Sequence, residues 1–187
     1  MKAKLLIFVC TYIFVQSISA QSFDFRNTNW GMDSLQVKKV ENSSITKSKK
    51  NVLVYNCKIA DYSAEVIYNF TLTNKLYEAS YFMTFDQKNP QISVNAFLSF
   101  QEILNQKYGT PIKVKANTIN GKVLTQEEWA TNLISNNLNL ETTWKNDKTK
   151  VTMSLFNLND VLYIDINYSS LLINNVDERK AELKKNL

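Results

Sequence analysis

Apolar and polar residues alternate with period two through Ala64–Phe85, AEVIYNFTLTNKLYEASYFMTF. The first arm puts Ala64, Val66, Tyr68, Phe70 and Leu72 on one face. Glu65, Asn69, Thr71 and Thr73 lie opposite, with Ile67 the only apolar exception. In the second arm Tyr77, Ala79, Tyr81, Met83 and Phe85 share a side. Such alternation marks a half-buried strand, because successive side chains point to opposite faces. Thr73-Asn74-Lys75 between the arms reads as a tight hairpin turn.

The same pattern predicts strands over Val52–Ile59, Leu138–Trp144, Val151–Phe156 and Val161–Ser169, giving six with the two above. Leu138, Leu140 and Trp144 share one face, as do Leu162, Ile164, Ile166 and Tyr168. The turn before the last strand falls at Asn159-Asp160. Ile112–Gly121 is ambiguous and suggests a short edge strand, whereas polar Asn42–Asn51 is expected to be a loop. Helices are marked by their ends. Asp33 followed by Gln36 is a capping box for Ser34–Glu41, and Thr125 to Glu128 is a second box opening a helix to about Asn136. Asn89-Pro90 starts a longer helix with Phe97, Phe100, Leu104 and Tyr108 as its stripe, Ile103 beside them, and Gly109 and Pro111 as its stop. The charged tail, residues 177–185, is expected to be a mobile helix.

At 187 residues the chain suits one domain. Lys2 and Lys4, then apolar Leu5–Val15 and Ser17-Ile18-Ser19-Ala20, have the layout of a secretory leader cleaved after Ala20. The expected organisation is therefore a signal peptide over 1–20 and a single α+β domain over 21–187, exported to the periplasm or medium. After cleavage 20 basic residues stand against 17 acidic ones, a charge of +3, too small for a dedicated nucleic-acid binder. No membrane span is expected beyond the leader. Only Cys57 remains, so an intramolecular disulfide is impossible, and its strand position suits a buried thiol.

Candidate chemistry is thin. The chain has no histidine, which removes Ser-His-Asp and Cys-His catalysis and most zinc sites. Three glycines leave no Gly-rich phosphate loop. Two carboxylates could serve glycoside hydrolysis, Glu127 with Glu128 or Asp160 with Asp165. The first pair, however, sits where a helix dipole favours acids. Asp160 belongs to a turn, and Asp165 to the polar face of its strand. No cofactor and no metal is expected. The aromatic residues suit a sheet-rich core, but Tyr77, Tyr81, Tyr163, Tyr168 and Trp144 are the candidates for an exposed platform that binds a partner.

Phe25-Arg26 with Trp30-Gly31-Met32 ahead of a short helix, and Lys107-Tyr108-Gly109-Thr110-Pro111 at a helix end, resemble small uncharacterised secreted bacterial proteins. Gly31-Met32-Asp33-Ser34 leading into a helix and a meander is also similar to beta-lactamase inhibitor protein and to small lipoproteins of outer-membrane assembly. These families imply a non-catalytic fold that binds other proteins.

The expected protein is thus α+β, with an antiparallel sheet of about six strands in two helix-plus-meander halves and the helices on one face. Residues 30–86 and 125–170 share that order; duplication and two separate meanders both fit. The expected role is a non-catalytic protein-interaction module. The alternative is a carrier of a small apolar ligand or lipid in a groove between helices and sheet.

Overall fold

The computed structural model describes residues 23–173 together with 180, 183 and 184. The leader, residues 1–20, lies outside the described residues. So does most of the expected helical tail, of which Lys180, Leu183 and Lys184 are helical.

Among the described residues the fold is α+β with eight strands, not six. In chain order come α1 (Ser34–Val40), β1 (Ser44–Lys49), β2 (Val52–Ile59), β3 (Tyr62–Phe70) and β4 (Leu76–Phe85). Then follow α2 (Pro90–Tyr108), β5 (Lys113–Thr118), a 3-10 turn (Gln126–Glu128), α3 (Trp129–Ile134), β6 (Leu138–Lys145), β7 (Thr149–Leu158) and β8 (Val161–Ser170). All eight strands form one antiparallel sheet in the order β1-β2-β3-β4-β8-β7-β6-β5. The closing strand of each four-stranded meander, β4 and β8, meets at the centre.

The two strands beyond those six are the sheet edges, and β5 falls within Ile112–Gly121, where the alternation suggests a short edge strand. Asn42–Asn51, expected to be a loop, contains β1, and all six of its residues are exposed. It has no buried face to impose alternation; backbone pairing with β2 and the Thr46 hydroxyl, which donates to the Val54 carbonyl, define it. Lys47 and Lys49 on β1, its bulge between Ile45 and Lys47, and Lys113 and Lys115 on β5 guard these edges against further strand pairing.

The helices cover one face, and the parity read from the sequence points towards them. Ala64, Val66, Tyr68 and Phe70 on β3, Ala79 and Met83 on β4, Leu140 and Trp144 on β6, and Leu162, Ile164 and Ile166 on β8 are buried beneath Val94, Phe97, Phe100 and Leu104 of α2 and Val37 of α1. Ile103 lies outside this stripe and is exposed. Asp33 Oδ1 accepts from the Leu35 and Gln36 amides at 2.9 and 2.8 Å, and the Gln36 side chain accepts from the Asp33 amide, which completes the capping box of α1. Asn89 precedes Pro90 as expected but makes no side-chain cap. The Thr125 box forms, yet opens a 3-10 turn, and α3 ends two residues early at Ile134. Gly109 closes α2 at φ 79°, a left-handed backbone that suits glycine.

The Phe25-Arg26 and Trp30-Gly31-Met32 segment clasps the helix-side core to the central strands. Phe25 packs its ring against Tyr68, Tyr81 and Tyr168 on β3, β4 and β8, with centroids 5.6, 5.0 and 4.9 Å away. The Gly31 amide donates to the Leu76 carbonyl at 2.9 Å, and the Leu76 amide to the Met32 carbonyl at 2.8 Å. Trp30 Nε1 donates to Thr149 Oγ1 at the start of β7.

Candidate functional site

Two polar assemblies stand out, one inside the core and one on the sheet face that no described helix covers. In the core, Arg26 Nε meets Glu41 Oε2 at 2.9 Å. The Tyr68 hydroxyl donates to the same oxygen at 2.6 Å, and the Ser43 amide to Oε1 at 2.9 Å. The guanidinium also lies over the Tyr81 ring. Burial opposes ionisation of Glu41, but the Tyr68 and Ser43 hydrogen bonds and Arg26 together hold its carboxyl below the ordinary value. Burial and the same hydrogen bond push the Tyr68 hydroxyl far up. No side-chain polar atom of Arg26, Glu41 or Tyr68 is among the buried ones without a partner, and Phe25 packs on Tyr68 and Tyr81 beside them. The cluster is a structural pin.

The opposite face is built differently. Strand register aligns Asn56, Glu65, Phe82, Asp165, Ser154, Glu141 and Lys115 in one row from β2 to β5. Beside it, Phe82, Tyr163 and Phe156 form an aromatic ladder across β4, β8 and β7. The Phe82–Tyr163 centroids are 5.0 Å apart and the Tyr163–Phe156 centroids 5.6 Å. All three rings are half-buried. The ladder is a ridge between two hollows. The first, about 780 Å³, is lined on this face by Asn56, Lys58, Ser63, Glu65, Thr84 and the Phe82 and Tyr163 rings. The second, about 310 Å³, is lined by Asn117, Asn139, Glu141, Ser154, Phe156 and Asp165.

Asp165 is one of the residues lining the second hollow. Its Oδ1 is enclosed and has no hydrogen-bond partner among the described residues. Burial, with a smaller contribution from Glu78, pushes its carboxyl up to about 6. Glu141 beyond Ser154 is in contrast paired with Lys113.

The five sequence candidates do not form one surface. Trp144 is fully buried under α2, where its Nε1 donates to Asn105 Oδ1 at 2.9 Å. Tyr168 is buried against Phe25, and Tyr81 is half-buried beneath Arg26, so these three face the helices. Tyr77 is the residue skipped by the register at the bulge that opens β4. Tyr163 alone is part of the ladder. Phe82 and Phe156 escaped the sequence reading, although each breaks the alternation as Ile67 does, an apolar residue on its strand's polar parity.

The carboxylate pairs are also separated. Glu128 accepts from the Thr125 amide and pairs with Lys122, which is capping and not a cleft. Asp160 is in the β7–β8 turn at φ 61°. It is five residues from Asp165, roughly 16 Å along an extended strand and beyond the spacing of glycosidase carboxylates. Among the described residues no group of three or more Cys, Asp or Glu side chains is arranged to hold a metal ion. No described helix is long and apolar enough to cross a membrane.

Fold and site together define an α+β protein with one antiparallel sheet, helix-covered on one face and carrying an aromatic ridge on the other. Compared with known proteins, the chain matches no family model, no curated sequence and no solved structure.

Proposed function

We propose that the chain is an exported, non-catalytic binding protein that engages another protein through the helix-free face of its sheet. The observation that carries this reading is the Phe82–Tyr163–Phe156 ladder, half-exposed between two hollows on a face that no described helix covers. Partly exposed aromatic rings flanked by short polar side chains have the make-up of an interface core and rim. A carrier of an apolar ligand has less support, because Phe97, Phe100, Leu104, Trp144, Met153 and Ile164 fill the layer between α2 and the sheet.

Affinity capture of the tagged chain from its own host tests the reading. Thr84→Arg and Ser154→Arg, one in each hollow, are expected to lose a partner that wild type and Leu35→Arg on exposed α1 retain. Retention by both hollow variants would refute the face assignment. For export, N-terminal sequencing of the protein outside the cytoplasm is expected to begin at Gln21; a start at Met1 would contradict the leader.

A further inference from the structure

The second hollow states what kind of group it takes. Asp165 lines it with a carboxyl that has no ion pair among the described residues and whose Oδ1 is enclosed without a donor, so a cationic occupant supplies the counter-charge this acid lacks. The face of Phe156, stacked on Tyr163, favours positive charge above it. Asn117 and Asn139 line the same hollow. An anion would meet Asp165 and Glu141, and an aliphatic group would leave the Asp165 carboxylate without a counter-charge. Ser154 between the two acids is short. Strands lie about 4.8 Å apart, which separates Asp165 from Glu141 by roughly 10 Å, room for a guanidinium or ammonium head. Glu141 is already paired with Lys113, so Asp165 is the acid awaiting a partner.

We propose that the protein partner inserts an arginine or lysine side chain into this hollow, its cationic head on Asp165 and its stem along Phe156. This rests on the helix-free face being the docking surface. The charged and titratable groups that share this face with Asp165 include Glu65 on β3, Glu78 on β4, Tyr163 on β8 itself, Lys150 on β7, Glu141 on β6, and Lys113 and Lys115 on β5. With the Asp165 carboxyl raised by burial, Asp165 in the free protein loses its charge as pH falls through about 6 while Glu141 keeps its own, and cation binding weakens in the same direction.

The probe is N-acetyl-arginine amide, titrated into isotope-labelled protein while the Asp165 carboxyl and the surrounding amides are followed by NMR. The expected result is a saturable shift at Asp165, Ser154 and Phe156, with the Asp165 midpoint lowered by about half a pH unit or more. N-acetyl-glutamate amide is expected to move none of them, and Asp165→Asn to lose the arginine response. No shift at Asp165, or an equal response in Asp165→Asn, would overturn the proposal. Capture from the host separates the two readings. A partner lost by Thr84→Arg but held undiminished by Asp165→Asn would overturn the cation and keep the face. A partner indifferent to both hollow variants would remove the face itself.

Discussion

Replacing Asp165 by asparagine isolates the cost of its enclosed carboxylate. Burial, aided by Glu78, raises this group from 3.8 to about 6, so the folded chain holds a proton there that the unfolded chain has released. A difference of about two units, at about 1.36 kcal/mol each, is on the order of 3 kcal/mol. The sign follows from linkage: this stability is fully present below the unfolded value and is lost as pH rises through about 6. At neutral pH the wild type therefore carries the full penalty, and the neutral amide of Asn carries none of it. Urea unfolding of both proteins at about pH 4.5 and about pH 7.5 reads the difference, because other titrating groups are common to both and cancel. Relative to Asp165→Asn, wild type is expected to lose roughly 2 kcal/mol between those two conditions. A difference that does not change with pH, or that grows in favour of wild type at the higher pH, would refute the reasoning and mean that Oδ1 is satisfied after all.

Glu41→Gln leaves the Arg26 charge in the core without its counterion and is expected to cost about 3 kcal/mol in urea unfolding at neutral pH. The contribution of Glu41 in wild type is present above its ordinary value and should fade as pH falls through its depressed one. Trp144→Phe removes the donor to Asn105 and is expected to cost about 1–3 kcal/mol, with an unchanged cost in Asn105→Ala showing that the hydrogen bond contributes nothing. The Cys57 thiol is pushed up by burial, so alkylation of the folded protein by iodoacetamide should be slower than that of the urea-unfolded chain; equal rates would contradict its placement.

Parity was legible in the chain; coverage was not. Alternation identified β2, β3, β4, β6, β7 and β8 because each has one buried face, and the residues assigned to it, such as Val66, Met83, Leu140 and Ile164, are buried. It could not reveal β1, whose Ile45 and lysines are all exposed, since an edge strand held by backbone hydrogen bonds needs no apolar side. Period-two patterning also does not say where an aromatic residue on the core parity ends up. Trp144 and Tyr168 share parity with leucines and isoleucines and went inside with them. The readable sign of the open face was the reverse case, Phe82 and Phe156 set among polar neighbours. Asp165 was placed correctly on the polar face, but its isolation depends on which side chains stand across the strands, Phe82 and Ser154, and that is a matter of register.

Site-specific photo-crosslinking inside the host shows which face of the sheet meets a partner, since it uses the full chain and its own surroundings. A benzophenone amino acid is placed at Thr84 and Ser154 on the helix-free face, and at Leu35 and Ile103 on the helix side. Both open-face positions are expected to form an adduct with the same protein, and both helix-side positions none with it. Adducts to that protein from Leu35 or Ile103, with none from Thr84 and Ser154, would contradict the face assignment.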